Sequence, residues 1–283
     1  MLFCNNLNQN GSHEQKLKYL PDACSGKIIG GMCMSEPEAG TDVLNMATFA
    51  SQSADKSYFT LNGTKMWITN GTLDGKDTGD IFFVYAKTNP GRKVSDMSAF
   101  IVEKGMPGFT LGTKITGKLG CRASNTAELV FDNVKVPAAN LIGKIGGAGI
   151  CMMRNLEIER IAAAAMSIGS TRQCLRIMTK YAAERKAFGK SIGDYGQIQK
   201  AIAESYAEYM AGRTYCYDIA RRLDLSSFGN GLDADSVKLF AAPIAKRVAD
   251  RAIQILGGNG YTAEYHVGNH KTYCIALLIQ FLG

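Results

Sequence analysis

Three spacings in this sequence bring together side chains that could do chemistry. His266, His270 and Cys274 recur every four residues, so one helix face would carry all three. Such a face can hold zinc. The chain has only three histidines and offers no fourth ligand, so no metal site is assigned. Gly112-x4-Gly117-Lys118 resembles a phosphate-binding loop, but Leu119 stands where a magnesium-binding Ser or Thr is needed, and no helix follows. Gly258-Asn-Gly260-Tyr-Thr-Ala263 resembles a dinucleotide fingerprint, but it follows a helical pattern rather than a strand. No Ser or Cys stands in a nucleophile motif with an ordered base. None of the eight cysteines forms a C-x-x-C pair and several sit in apolar runs, which reads as reduced thiols. Trp67, the only tryptophan, reads on pattern alone as a strand core residue.

The elements that must position these residues change character near residue 140. Before it, short β-like runs alternate with turn signals. Residues 58–61 and 65–69 flank Asn62-Gly63, a hairpin signal. Runs at 81–86, 98–102 and 127–131 continue the pattern, with turns at Pro107-Gly108 and Asp132-Asn133. This predicts an antiparallel barrel or sandwich. After residue 140 the period is helical. Residues 149–185 read as one long helix or a broken pair, and 194–223 and 233–256 as two more. Asp233 is a candidate N-cap, and Pro243 a candidate kink. A Gly-rich link, 226–231, joins the last two. Three long helices suggest a bundle whose fourth member is missing or supplied from elsewhere. A short helix over 14–19, ended by Leu20-Pro21, precedes the β region.

With 283 residues, 46% hydrophobic and 20% charged, the composition is globular and excludes a disordered chain or a disulfide scaffold. The net charge of +7 comes with no basic block and no nucleic-acid motif, so it reads as ordinary solubility. The late apolar run 275–282 is broken by Gln280 and is short of the ~20 residues a membrane-spanning helix needs. The opening MLFCNNLNQNG lacks the features of a signal or transit peptide. Asn-Gly-Ser/Thr triplets at Asn10, Asn62 and Asn70 read as turns.

Four segments are more specific: Met34-Ser-Glu-Pro-Glu-Ala-Gly-Thr-Asp42, Asn62-Gly-Thr-Lys-Met-Trp-Ile-Thr-Asn-Gly71, Arg185-Lys-Ala-Phe-Gly-Lys190 and Gln254-Ile-Leu-Gly-Gly-Asn-Gly-Tyr261. In order and spacing they resemble the acyl-CoA dehydrogenase family, supported by Glu103-Lys-Gly-Met-Pro-Gly-Phe109 and Leu119-Gly-Cys-Arg-Ala-Ser-Asn-Thr126. The resemblance runs from about residue 2 to about 267 and is nearest the isovaleryl-CoA, short branched-chain type. It implies FAD as cofactor. A carboxylate takes the α-proton of an acyl-CoA thioester while the β-hydrogen leaves as hydride to the flavin, giving a trans-2-enoyl-CoA. It also implies an electron-transfer flavoprotein as acceptor and a homotetramer. The process would be leucine catabolism or fatty acid β-oxidation, in the mitochondrial matrix if eukaryotic and the cytoplasm if bacterial.

The resemblance assigns roles residue by residue. Met32, Met34, Ser35, Gly40 and Thr41 belong to a loop along flavin and substrate. Trp67, Ile68 and Thr69 would pack against the isoalloxazine, Thr69 as a hydrogen-bond donor. Arg185, Phe188, Gln254, Gly257 and Gly258 match FAD-contacting positions, partly across a subunit interface. On pattern alone Arg185 is equally a solvated helix-end charge, and the two glycines a helix C-cap. The base matches Glu159, in Leu156-Glu-Ile-Glu-Arg160, ahead of the apolar run Ile161-Ala-Ala-Ala-Ala-Met166. A carboxylate in that setting is desolvated and its pKa raised towards the range of a general base. Periodicity alone also allows an exposed Glu near a helix start. Thr41, Glu157 and Arg160 match substrate-side positions.

The chain also departs from the family. Gly196 replaces a flavin-contacting Gln, with Gln197 and Gln199 nearby. The tail 268–283 leaves the family pattern. Of the family's N-terminal helical domain only the segment up to Pro21 remains, matching Asn8-x-Asn-Gly-x-x-x-Gln-Lys-x-Lys-Tyr-Leu-Pro21. The expected organisation is an α+β multidomain chain: a helical remnant (1–28), a β-barrel or sandwich domain (29–142) and an incomplete C-terminal helical bundle (143–283). Three readings of its activity stand open: a short or branched-chain dehydrogenase, an acyl-CoA oxidase or dehydrogenase of another chain length, and an inactive truncated form.

Overall fold

The structure is a computed structural model that describes residues 2–224 and 231–279. The chain divides into two compact units, one comprising residues up to Lys118 and 122–155, the other Leu119–Cys121 and the chain from Leu156 onward.

The first unit opens with α1 (Leu2–Asn10) and α2 (His13–Cys24). Ser12 caps α2 in a reciprocal box: its Oγ accepts from Gln15 N, while Gln15 Oε1 accepts from Ser12 N. The helix does not end at Leu20-Pro21 as predicted. Pro21 removes one amide near the C-terminus, and its carbonyl still accepts from Ser25 N at 3.1 Å, so the last turn closes.

One eight-stranded sheet follows: β1 (Gly30–Cys33), β2 (Phe49–Gln52), β3 (Tyr58–Thr69), β4 (Ile81–Lys87), β5 (Met97–Glu103), β6 (Phe109–Ile115), β7 (Thr126–Pro137) and β8 (Leu141–Ile142). The order is β6-β7-β3-β2-β4-β5-β8, with β1 parallel beside β4. The path is open rather than a closed barrel, and most pairs are antiparallel. β4 and β5 are apolar along almost their whole length because both faces are covered. Phe82, Val84 and Phe100 enter one core with Phe59, Leu61 and Phe131. Ile81, Phe83, Tyr85 and Ile101 enter another with Phe3 and Leu7 of α1.

Two predicted turns are not turns. Asn62-Gly63 lies inside β3, where a register shift between Leu61 and Gly63 marks a bulge. Gly63 has φ +148°, and a Cβ there would stand 2.6 Å from Thr48 Cα, so the glycine serves close packing. Asp132-Asn133 lies inside β7; Asn133 adopts φ +51° opposite that bulge and donates its N–H to Asn62 Oδ1 at 2.8 Å. The Pro107-Gly108 turn between β5 and β6 is present.

The second unit is helical. α3 (Ala148–Glu184) is unbroken over 37 residues. After it come a hairpin of β9 (Lys186–Ala187) and β10 (Lys190–Ser191), then α4 (Gly196–Arg222), α5 (Gly231–Leu256) and α6 (Val267–Ile279). Val237, Ala241, Ile244, Val248, Ala252 and Ile255 give α5 a buried stripe at helical spacing. Asp233 lies within the first turn of α5 rather than capping it, and the helix runs through Pro243. Residues 226–230 of the predicted link lie outside the described residues, as do 280–283 of the tail. The expectation that a fourth helix is missing or supplied from elsewhere is corrected: the tail forms α6, which buries Val267 and Cys274, and its Lys271 pairs with Asp250 of α5 at 2.6 Å. Among the described residues, no helix is long and apolar enough to cross a membrane.

Candidate functional site

In the first unit, the candidate residues lie on β1, the segment after it, and the end of β3. The 34–48 segment is pinned from below. Lys65 Nζ donates to Met34 O at 3.0 Å and to Glu36 Oε1 at 2.8 Å, and Glu36 also accepts from Ala47 N at 2.5 Å and Thr48 N at 3.1 Å. Met66 N donates to Ser35 O at 2.9 Å instead of joining the strand ladder. That diversion coincides with a register shift between Lys65 and Ile68 in the β3–β7 pairing. Trp67 sits at this bulge with φ +66°, a conformation costly for a bulky residue. The residue is 61% exposed, so the strand-core reading fails. Ile68 points into the sheet core and Thr69 is exposed. A cofactor role for Ile68 is therefore confined to its backbone.

The candidates on the preceding segment divide. Gly40 and Thr41 are exposed. Met34 and Ser35 are half-buried, each with its carbonyl already bonded to β3. Met32 packs into the core under α1, its Sδ accepting from Asn6 Nδ2 and Asn155 Nδ2, each at 3.6 Å.

In the second unit, Glu159 lies well inside α3 and is 7% exposed, which rules out an exposed helix-start residue. Burial pushes its carboxyl up to about 7, with the Arg160 charge working in the opposite direction. Arg160 Nη1 donates to Asp235 Oδ1 of α5 at 2.6 Å. Glu157 is half-buried, with its Oε1 3.6 Å from where a Cβ on Gly231 would stand. At the far end of α3, Arg185 is exposed and leads into the β9–β10 hairpin. Phe188 and Gly189 form its two-residue turn with φ +50° and +82°, the twist-matched turn normally given to Asn-Gly. Phe188 is 96% exposed. Gln254 is exposed on the last turn of α5. Gly257 and Gly258 open the 3-10 turn that follows, and nothing stands within 4 Å of a Cβ at either. Of the two glutamines beside Gly196, Gln199 turns back to donate to Gly193 O at 3.0 Å, while Gln197 is exposed.

The Lys65–Glu36 pair was not read from the sequence, although both residues stand in quoted segments. The single cation Lys65 in one segment and the carboxylates Glu36, Glu38 and Asp42 in the other were the available signal. The residues of the discarded motifs have structural partners. Lys118 Nζ donates to Ser124 O, Ser124 Oγ and Thr126 Oγ1 at 2.7–2.9 Å. His266 precedes α6 with φ +58° and so does not share its face. His270 Nδ1 and Cys274 Sγ each meet Ser170 Oγ, at 3.0 and 3.4 Å.

Comparison with known proteins gives these features a context. The family model described as "Acyl-CoA dehydrogenase, middle domain" matches residues 31–134, and "Acyl-CoA dehydrogenase, C-terminal domain" matches 147–282. The chain is 42% identical over 267 residues to the mitochondrial isovaleryl-CoA dehydrogenase of Solanum tuberosum, covering 94% of this chain and 63% of that protein. The chain thus covers less than two thirds of that relative's length. Among solved structures, butyryl-CoA dehydrogenase from Megasphaera elsdenii superposes with a TM-score of 0.91 at 35% identity, over 98% of this chain and 70% of the other. The FAD complex of PigA gives 0.91 at 30% identity, over 100% and 72%.

Proposed function

The chain belongs to the acyl-CoA dehydrogenase family, and on that premise we propose that it carries the flavin and base machinery for α,β-dehydrogenation of a short branched-chain acyl-CoA, isovaleryl-CoA first. The observation that carries the proposal is Glu159: a buried carboxylate whose pKa is pushed up to about 7, within the segment that matches a base of the isovaleryl type.

The residues present fit a flavin. Trp67 presents an exposed aromatic face on a strained backbone, and strain of that kind persists where the surroundings over-determine it. Thr69 is exposed two residues on. Gly257 and Gly258 leave open backbone at the end of α5, and Phe188 offers a second exposed ring. In this reading Trp67 and Thr69 hold the isoalloxazine, and Arg185, Phe188, Gln254, Gly257 and Gly258 hold the remainder of FAD. Arg185 supplies a fixed positive charge for the pyrophosphate. FAD, when bound, takes up the hydride equivalent from the substrate's β-carbon.

Glu159 takes the α-proton. Its burial matters because a carboxylate with an ordinary pKa is too weak a base near neutral pH. Burial outweighs the opposing Arg160 charge at Glu159, and Arg160 is itself paired with Asp235 at 2.6 Å. Thr41, Glu157 and Arg160 line the substrate side in this reading. An electron-transfer flavoprotein is the proposed acceptor and a homo-oligomer the proposed assembly. Relatives named as mitochondrial support the matrix for a eukaryotic source.

The test uses flavin absorbance. The purified chain supplied with FAD should bleach on addition of isovaleryl-CoA more readily than with butyryl-CoA or glutaryl-CoA. Glu159→Gln should keep the flavin and lose the bleaching. Retained bleaching in that variant would remove Glu159 as the base, and hydrogen peroxide formed under air without a carrier protein would mark an oxidase.

A further inference from the structure

Lys65 points inward from β3 with its side chain fully buried, and its ammonium finds two partners on the segment after β1: Met34 O at 3.0 Å and Glu36 Oε1 at 2.8 Å. Glu36 accepts in turn from the N–H groups of Ala47 and Thr48, so both ends of the 34–48 segment are tied to one lysine. Beside it, Met66 N donates to Ser35 O at 2.9 Å. These bonds fix the chain just before Trp67. Just after it, Ile68 is buried, Asn70 N donates to Asn125 O at 2.8 Å, and Asn70 Nδ2 donates to Gly30 O at 3.1 Å. A Cβ on Gly31 would stand 2.5 Å from Thr69 O, so β1 closes against this end of β3. Trp67 is thereby held at φ +66° between two anchored stretches, while remaining mostly exposed itself.

Stability alone does not account for the two charges. Taking an ammonium and a carboxylate out of water is costly, and well-packed apolar side chains of similar volume stabilise a core as well or better. What a lysine adds is reach and donors: its ammonium carries three N–H groups and meets a carbonyl and a carboxylate at once. The best-attested use of a buried ion pair is to set register. Here the register is the shift between Lys65 and Ile68 in the β3–β7 pairing, the bulge that carries Trp67.

We propose that Lys65 and Glu36 are positioning residues for the flavin: buried and acting at one remove, they hold Trp67 in the left-handed backbone that presents its ring, and they tie the segment bearing Ser35, Gly40 and Thr41 to the same bulge. This role rests on the flavin reading given above. The pair acts through Trp67, so its effect on the cofactor vanishes once the indole is removed. A pair that merely stabilised the β unit would alter FAD affinity no more than any core change of equal thermal cost.

The experiment compares the full chain with the double variant Lys65→Met/Glu36→Gln, which removes both charges while the introduced amide can still accept from Ala47 and Thr48. Val136→Ala, a truncation in the β7 core, serves as a purely structural control. Each chain is melted, titrated with FAD by equilibrium dialysis, and followed by amide exchange in NMR without flavin. The double variant should fold, lose exchange protection at Met66 N–H while the rest of the β3–β7 ladder keeps it, and bind FAD about tenfold more weakly. Val136→Ala should keep the parent's FAD affinity. Added to Trp67→Gly, the double variant should cause no further loss, because both act on one contact. The proposal is overturned if the double variant binds FAD like the parent, if Met66 stays as protected as before, if Val136→Ala weakens FAD equally, or if the two losses multiply in the combined chain. A parent chain that binds no FAD would instead remove the flavin reading, and this role with it.

Discussion

Lys65 Nζ lies 2.8 Å from Glu36 Oε1, both side chains are buried, and together they join β3 to the segment that follows β1. Burial disfavours the Glu36 charge, but Lys65 and the N–H groups of Thr48 and Ala47 outweigh it and hold the carboxyl below its usual range. Lys65 is pulled down by burial, with Glu36 pulling the other way. The pair stands two residues before Trp67, so it sets both the bulge and the loop beside it. Lys65→Met should cost about 3–5 kcal/mol in urea unfolding, because Glu36 would stay buried without its counter-charge. Adding Glu36→Gln should recover part of that loss, giving a large coupling in a double-mutant cycle. Because the folded pKa of Glu36 is depressed, its stabilising contribution is complete above about 4.5 and is lost as pH falls below that value.

Glu159 has the opposite sign. Its folded pKa is raised from 4.5 to about 7, so the folded chain binds more protons than the unfolded one between those values. Stability should therefore fall as pH rises through that window, by about 3 kcal/mol from this group alone. Glu159→Gln should flatten the decline, melting higher than the parent at pH 8 and level with it below pH 4.5. In turnover the same group should make kcat/KM climb with pH to a plateau above about 7, and the Gln variant should lose about 10^2–10^4-fold of the rate. A parent profile flat across neutral pH would reject Glu159 as the titrating base.

Much of this was legible in the sequence because apolar period and motif spacing are local. The run 81–86 reads as a strand, and 149–185 reads as a helix without help from elsewhere. What failed was non-local. Asn62-Gly63 carries the local signal of a hairpin, but Thr48 and β7 pack against it and hold the chain straight through a bulge. The tail 268–279 reads as off-pattern from its motifs, but the C-terminal family model extends through it, and it forms a helix in which Val267 joins the core with α5 and Cys274 meets Ser170 of α3. Glu159 was legible as a carboxylate beside an apolar run, but its depth followed only from packing. The strained backbone of Trp67 leaves no mark in composition at all.

That strain gives a clean separation between folding and binding. Trp67 is mostly exposed and held at φ +66°, where glycine is relaxed. Trp67→Gly should leave stability unchanged or raise it by about 1 kcal/mol in thermal melts. The same variant should weaken FAD binding by tenfold or more, about 1.4 kcal/mol. Trp67 is the only tryptophan, so FAD titrated into the parent should quench nearly all the intrinsic indole fluorescence. Quenching absent while flavin is bound would separate Trp67 from the cofactor.

The glycines after α5 make the same separation at three neighbouring positions. A Cβ on Gly260 would meet the Ile253 carbonyl oxygen at 2.5 Å and the Ile253 Cα at 2.9 Å, and backbone cannot step aside. Gly260→Ala should cost about 1–3 kcal/mol. Gly257 has open space but φ +58°, so Gly257→Ala should cost about 1 kcal/mol through the left-handed backbone alone. Gly258 has neither constraint. Gly258→Ala should leave the melting curve within about 0.5 kcal/mol of the parent. If its glycine is there for close approach of FAD, the same variant should bind FAD about tenfold more weakly. Equilibrium dialysis with FAD beside thermal melts distinguishes the three. A Gly258→Ala chain that binds FAD like the parent would show that Gly258 is not kept small for the cofactor.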